Sequence, residues 1–186
     1  MHINIGYDFG VTSQIGYSYF TKIKKPVWFT FDYSFPMGKT LFDDFKFRFG
    51  GQIEVAEYKN FIASLKLFGN YKRHETELVR ITNFGIETSV LVGYYKPTWL
   101  LATELGFIKP FASNLKHSDI MKDNYPAIQN GWYASSGGYY FYGIQAGKSI
   151  TKSFDISFRI GYTKANADNK DAILPYYAQI GLMKRF

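Results

Sequence analysis

Apolar and polar residues alternate along most of this chain with the period of two that is expected of β-strands. The clearest segment is 27–35, where Val, Phe and Tyr at odd positions alternate with Trp, Thr, Asp and Ser. The pattern predicts ten strands, at residues 2–9, 14–22, 27–35, 44–55, 60–72, 82–95, 98–109, 138–149, 153–164 and 173–186. Residues 3–19 keep one phase of alternation, which also fits a single long first strand, so a count of eight strands is the alternative.

The connections between these strands alternate in length. Tight links are predicted at 24–26, 57–59, 96–98 and 150–152, and longer ones at 36–43, 73–80, 110–137 and 165–172. Short turns at one end and long loops at the other are typical of transmembrane barrels, whose strands need about 9 to 11 residues to cross a bilayer. We therefore predict an all-β, antiparallel, up-and-down transmembrane barrel that forms a single domain over residues 1–186.

The two faces of the predicted strands differ in chemistry. One face is almost free of charge, whereas the other carries acidic and basic residues of both signs, namely Asp8, Asp32, Lys46, Arg48, Glu54, Lys66, Glu87, Glu104, Asp155 and Arg159. In a membrane barrel these charges face inward, and we expect them to pair across a narrow, side-chain-filled lumen. In a soluble calyx the same alternation would place the charges in water and the apolar face inside. Periodicity alone leaves both arrangements open.

Aromatic residues favour the membrane arrangement. They make up 20% of the chain, and many of them stand near the ends of predicted strands, as in the aromatic girdles of membrane barrels. The longest uncharged stretch, 124–147, is rich in Asn, Gln, Ser and Gly, so no transmembrane helix is predicted. The first residues alternate at once and lack a signal-peptide pattern, so we expect the numbering to be that of a mature or recombinant chain.

The C-terminal residues carry a resemblance to a known class of protein. Gln179, Gly181 and Phe186 resemble the C-terminal β-signal of bacterial outer-membrane proteins, although Lys184 stands where that signal usually has an apolar residue. Together with the strand pattern, the chain resembles the small, porin-like outer-membrane barrels of the OmpA and OmpX type. The resemblance implies location in the outer membrane of a Gram-negative bacterium, contact with its lipid and lipopolysaccharide, and insertion by the barrel-assembly machinery.

Charge and composition exclude several classes of site. The absence of cysteine excludes disulfides, cysteine-ligated zinc and thiol catalysis, and only three histidines, His2, His74 and His117, are present. We therefore expect no metal and no cofactor. The net charge of +7 comes from short clusters without a basic helix face, so we expect no nucleic-acid partner.

The predicted outer loops carry acid and base residues that could in principle form a catalytic group. Asp43 and Asp44 in one loop, with His117 and Asp119 in another, superficially resemble the paired residues of the omptin proteases. Such a site needs carboxylates and an imidazole around one activated water. This chain is much shorter than an omptin and its local spacing differs, so we interpret these residues as solvated loop charges and predict no enzymatic activity.

The predicted outer loop at 110–137 is far longer than an ordinary hairpin connection. Its notable residues combine cations with aromatic rings: Lys116, His117, Lys122, Trp132 and Tyr133. Such a loop is suited to bind lipopolysaccharide headgroups or a protein partner in a larger envelope complex, and the alternative is a mobile surface loop.

These observations lead to four functional hypotheses. The first is a closed barrel that acts through its loops as a structural, adhesion or envelope-complex component. The others are a narrow channel for small solutes, a hydrolase at the barrel rim, and a soluble calyx that binds a lipophilic ligand.

Overall fold

The computed structural model describes residues 1–22, 24–37, 43–135, 137–166 and 174–186. Within these residues the chain forms eleven strands and one short helix, α1 (Asp119–Asn124). The strands are β1 (His2–Tyr7), β2 (Val11–Lys22), β3 (Pro26–Pro36), β4 (Phe45–Tyr58), β5 (Phe61–Glu75), β6 (Val79–Lys96), β7 (Trp99–His117), β8 (Gly131–Ala134), β9 (Tyr139–Ser149), β10 (Phe154–Ala165) and β11 (Tyr176–Lys184).

Ten of these strands close an antiparallel, up-and-down β-barrel, as the alternation predicts. Consecutive strands pair from β1 to β7, β7 then pairs with β9, and β11 pairs with β1 to complete the ring. The short strand β8 lies outside the ring and pairs only with the end of β7, at residues 112–115. The ten-strand prediction is therefore confirmed and the eight-strand alternative is wrong.

A three-residue turn explains why the first two strands look continuous in the sequence. Tyr7 of β1 pairs with Val11 of β2, and the turn between them closes with a hydrogen bond from Asp8 N to Gly10 O of 3.0 Å. Gly10 has a φ of +152°, a backbone conformation that glycine adopts readily. Because the paired residues are four apart, alternation continues in phase through the turn, so periodicity does not locate the break, which the sequence places at 10–13 instead of 8–10.

The predicted outer connections 73–80 and 110–137 are wrong in their bounds, because strands continue into both. β5 and β6 leave only residues 76–78 between them, and β7 runs on to His117. Pro110 lies within β7 opposite Gly85, and Phe111 is an extra residue in a β-bulge at this point. A bulge lets a strand accommodate a proline, which lacks the donor that a regular ladder needs. The predicted connections 36–43 and 165–172 lie largely outside the described residues, as does residue 173 of the last predicted strand.

The two ends of the barrel differ in the connections that they carry. One end, which we call the short-turn end, carries the connections 23–25, 59–60, 97–98 and 150–153 together with both chain termini. The terminal strands are joined there by a hydrogen bond of 3.0 Å from the Met1 amino group to Lys184 O. The opposite, long-connection end carries the connections 8–10, 37–44, 76–78, 118–138 and 166–175.

The barrel is apolar outside and polar inside. On β6, inward Glu87 and Ser89 are buried, whereas the outward residues Ile86, Val90 and Val92 are exposed. The same alternation continues around the ring, so that the buried polar side chains include Thr12, Gln14, Asp32, Ser34, Ser64, Glu87, Ser89 and Glu104. This distribution is the reverse of the aromatic interior that the calyx hypothesis requires.

Among the described residues, no helix has the length and apolar character needed to cross a membrane.

Glycines on the inner face make room for a buried ring, which gives a test of the packing. A Cβ on Gly161 would overlap the hydroxyl of Tyr177, whereas a Cβ on outward-facing Gly69 would meet only Phe49 O at 3.7 Å. We expect Gly161→Ala to lower the free energy of unfolding by about 1 to 3 kcal/mol through overpacking. Gly69→Ala is the matched control and should change it little. The measurement is urea unfolding of both variants, and equal midpoints would contradict the packing described.

Candidate functional site in the barrel interior

The interior of the barrel contains two clusters of paired charges. The first cluster is centred on Arg48, whose guanidinium donates to Asp32 Oδ2 from Nη2 at 2.7 Å and to Glu87 Oε1 from Nη1 at 3.0 Å. The imidazole of His2 lies 2.8 Å from the other oxygen of Asp32, measured from Nε2 to Oδ1. Both carboxylates are almost fully buried, with 1% and 3% exposure for Asp32 and Glu87.

The second cluster is centred on the buried carboxylate of Glu104. Its Oε1 accepts hydrogen bonds from Lys66 Nζ at 3.0 Å and from Ser89 Oγ at 2.9 Å. Its Oε2 accepts from Arg159, with Nη2 at 2.9 Å and Nε at 3.1 Å. Every oxygen lone pair of this buried anion therefore faces a donor or a cation.

Strand register accounts for some of these contacts and side-chain reach for the others. Asp32 and Arg48 stand directly opposite each other on β3 and β4, so their pair follows from the register. Glu87 lies two strands from Arg48, and Arg159 on β10 reaches Glu104 on β7. With His2 included, the members of the two clusters come from seven of the ten barrel strands, so the contacts link strands that are not neighbours.

Aromatic rings line the two guanidinium groups. Arg48 Cζ lies 5.1 Å from the ring centroid of Phe68, and Arg159 Cζ lies 5.6 Å from Phe141 and 4.8 Å from Tyr177. Cations over ring faces at these distances are attracted by the π-electrons. The rings also place apolar surface beside the charged pairs, and a lower local dielectric strengthens each electrostatic contact.

The other residues predicted for the lumen network lie nearer to the ends of the barrel. Asp8 accepts a hydrogen bond of 3.2 Å from Lys46 towards the long-connection end. Asp155 accepts from Ser149 Oγ at 2.6 Å and pairs with Arg185 at 2.9 Å at the short-turn end. Glu54 forms no ion pair with the described residues. Alternation identified the inward face of all ten residues, but it carries no information on their height along the barrel.

Two members of the clusters were not among the predicted network residues. His2 and Ser89 both hydrogen-bond to buried carboxylates. The alternation does indicate the position of His2, because His2 shares the inward face of β1 with Asn4 and Gly6. Hydrogen-bonding partners across a lumen leave no comparable trace in one sequence.

A cavity of about 620 Å³ lies between the clusters and the long-connection end. Arg48, Glu87 and Arg159 of the clusters contribute to its lining. Its other polar and charged lining side chains include Asp8, Gln14, Ser34, Lys46, Asn70, Lys72, Asn83, Ser113, Tyr139, Tyr177 and Gln179. On the other side of the clusters, the inward residues Ser64, Leu91 and Ala102 are 1% to 3% exposed. The cavity therefore ends at a tightly packed layer.

The predicted C-terminal assembly residues occupy different surroundings. Gln179 lines the cavity, and a Cβ on Gly181 would overlap the side chain of Asn4 inside the barrel. Phe186 follows the end of β11 and is 88% exposed. The Lys184 ammonium lies 5.0 Å from its ring centroid. The role of these residues in assembly stays a prediction.

The predicted loop residues are spread along the β7–β8 extension. His117, at the end of β7, contacts Asn130 Oδ1 with its backbone N at 2.8 Å and its Nδ1 at 3.2 Å. Lys122 in α1 pairs with Asp119 at 3.2 Å, and exposed Lys116 precedes His117 on β7.

The aromatic pair of this extension lies on β8. Trp132 packs on Phe84 with ring centroids 5.7 Å apart, which joins the extension to the aromatic residues on the barrel's outer face. The hydroxyl of Tyr133 donates to Gln129 O at 2.9 Å. A contact of these residues with lipopolysaccharide or with a partner protein stays a prediction.

The rim residues considered for catalysis have separate partners. Asp44 Oδ1 lies 2.9 Å from His74 Nδ1, whereas His117 contacts Asn130. Beside Asp44, hydrogen bonds from Arg80 and Arg73 lower the pKa of Glu75 to about 2. Among the described residues, no group of three or more acidic or histidine side chains is arranged to hold a metal ion.

Comparison with models of protein families and with curated proteins gives no match to this chain.

The buried charges give a direct test of the first cluster. We expect Arg48→Met to lower the free energy of unfolding by about 3 to 5 kcal/mol, because it leaves two buried carboxylates without their cation. The triple variant Arg48→Met, Asp32→Asn, Glu87→Gln removes all three charges and should recover part of that loss. Unfolding in urea measures both variants. If the free energy of unfolding of Arg48→Met lies within about 1 kcal/mol of the wild-type value, the buried pairing described here is contradicted.

Proposed function

We propose that this chain is an integral β-barrel protein of the bacterial outer membrane, with a lumen closed by paired charges. In this proposal it acts through its long-connection end as a structural, adhesion or envelope-complex component. The observation that carries the proposal is the inverted distribution of polarity, with exposed apolar side chains around the barrel and buried charges inside it.

The exposed apolar surface favours hydrocarbon as its surroundings. Outward residues on all sides of the barrel are large and apolar, including Ile5, Ile15, Phe31, Phe49, Leu65, Leu67, Val90, Leu105, Ile144, Phe158, Ile160 and Ile180. Soluble monomers seldom expose contiguous apolar patches of more than a few hundred Å². In a bilayer the same belt faces acyl chains and needs no protein partner.

Aromatic rings at both ends of the barrel support the same proposal. Near the long-connection end, successive rings lie 4.8 to 5.9 Å apart in a band formed by Tyr33, Phe47, Phe45, Tyr71, Phe84 and Trp132. Near the short-turn end, Lys96 Nζ lies 5.8 Å from the ring of Tyr94 and 5.9 Å from that of Trp99. Aromatic belts with flanking lysines are typical of membrane interfaces.

The asymmetry of the ends supports an orientation. Membrane barrels have short periplasmic turns and longer extracellular loops, so the short-turn end with both termini would face the periplasm. The β7–β8 extension, with Lys116, Lys122 and Trp132, would then reach lipopolysaccharide or a protein partner at the cell surface. The C-terminal resemblance to a β-signal supports insertion by the barrel-assembly machinery.

Two leucines give a sharp test of the membrane location. Leu65, the fifth residue of β5, and Leu78 in the connection 76–78 are each 46% exposed. In a bilayer, Leu65→Arg should lower the free energy of unfolding by about 2 to 4 kcal/mol, whereas Leu78→Arg should have little effect. Equilibrium unfolding in lipid vesicles measures this difference.

The same chain should show a heat-modifiable band on gels after refolding in detergent, and none after refolding in plain buffer. A compact fold in plain buffer, with both arginine variants close to the wild type, would overturn the membrane proposal and indicate a soluble barrel.

A narrow solute channel is the second candidate, and the cavity that runs from the long-connection end to the clusters favours it. The layer of Ser64, Leu91 and Ala102 beyond the clusters favours the closed barrel instead. We expect the refolded wild type to give no steady conductance in planar bilayers. Channels with a defined reversal potential would contradict the closed lumen and establish the second candidate. The absence of enzymatic activity stays a prediction; the two rim residues Asp44 and His117 contact different partners, His74 and Asn130.

A further inference from the structure

We propose that the cavity at the long-connection end binds a small organic anion, one that carries a carboxylate or phosphate group on an apolar or aromatic body. The inference concerns the inside of the barrel, and it holds whether the outside faces lipid or water.

The first support is a cation without a paired carboxylate. Lys46 and Lys72 stand directly opposite each other on β4 and β5, and both line the cavity. Asp8 pairs with Lys46 at 3.2 Å, whereas Lys72 forms no ion pair with any described residue. The Lys72 ammonium instead lies 4.8 Å from the ring centroid of Phe9. Asp8 and Asp44 act on the Lys72 ammonium without forming a direct ion pair with it, so an oxyanion in the cavity would supply the paired charge that the described residues do not.

The second support is a buried amide without partners. Asn70 is one pleat step deeper than Lys72 on the inner face of β5. Both amide atoms, Nδ2 and Oδ1, are buried and have no hydrogen-bond partner among the described residues. A buried polar group left unpaired costs about 1 to 3 kcal/mol. An oxyanion held by Lys72 would accept a hydrogen bond from Asn70 Nδ2 and remove part of that cost.

Tyr177 also lines the cavity and is 7% exposed, with its hydroxyl packed against Gly143 and Gly161. The Arg159 guanidinium lies 4.8 Å from its ring centroid. The cations at the floor are already paired, since Arg48 and Arg159 bond to buried carboxylates of the clusters. The positive charge available to a ligand therefore lies at Lys72.

The size and walls of the cavity fit a small organic molecule. A volume of about 620 Å³ lies within the range of ordinary small-molecule sites, about 300 to 1,000 Å³. Ile81, Ile108 and Phe141 supply apolar lining beside Tyr139. Apolar walls with few polar groups at defined positions are the usual composition of such a site. The oxyanion would be recognised at Lys72 and Asn70, and the body by these walls.

Phenyl phosphate is a suitable probe, because it combines a ring with an oxyanion. We expect saturable binding to the folded chain by isothermal titration calorimetry at low ionic strength, in the solvent in which the chain folds. Lys72→Gln and the nearly isosteric Asn70→Asp should each weaken binding by about tenfold or more. The matched control is Lys164→Gln, which removes a cation from the exposed face of β10 and should leave the affinity unchanged.

Each variant is first checked for folding by gel mobility with and without boiling. An absence of saturable binding to the wild type, or an equal loss of affinity in Lys164→Gln, would overturn the site. Inorganic phosphate should bind more weakly than phenyl phosphate, and equal affinity would overturn the role of the apolar walls. If lipopolysaccharide micelles displace phenyl phosphate, the site binds a phosphate of a lipid headgroup. That result would overturn the proposal that its ligand is a free solute.

Discussion

Charge pairing across the barrel interior is the interaction on which the rest of this structure depends. Closing ten strands into a ring encloses a space that inward side chains must fill, and here many of those side chains are ionised. Removing an ion from water costs several kcal/mol, which only a well-placed partner offsets. Arg48 and Glu104 each bond to residues from at least two other strands, so the same contacts satisfy the charges and hold the ring together.

This interior also constrains the outside of the barrel. Successive residues of a strand point to opposite faces, so an inner face used for charges leaves the outer face to supply most of the apolar surface. On β10, inward Arg159 stands between outward Phe158 and Ile160, both of which are exposed. Among the described residues, the interior therefore buries more polar and charged side chains than apolar ones, and most large apolar side chains lie on the outer face.

Much of this fold could be predicted from the sequence, because period-two alternation determines which residues share a face. It places the first break at 10–13 and not at Asp8–Gly10, where the turn preserves the phase. It also ends a strand at 109, because the strand beyond Pro110 depends on a bulge at Phe111. It identified the ten inward charges but not which of them meet, because the pairs of Arg48 with Glu87 and of Arg159 with Glu104 cross the lumen. Strand register and side-chain reach determine those pairs, and the local alternation of residues predicts neither of them.

The cavity differs from the clusters beneath it in one physical respect. At the clusters every buried charge has a partner, whereas one pleat step above Asn70 Lys72 stands in register with a second lysine, Lys46, and only Lys46 pairs with Asp8. Two like charges on facing strands are unfavourable, and an unpaired amide beside them adds to the cost. Polar groups without a partner, in a structure that is otherwise well paired, are typical of functional sites, where a ligand supplies the missing partner. The barrel is tightly packed below the clusters, at Ser64, Leu91 and Ala102, and the cavity lies towards the long-connection end. A ligand that enters from that end would therefore be held at Lys72 and would not pass through the barrel.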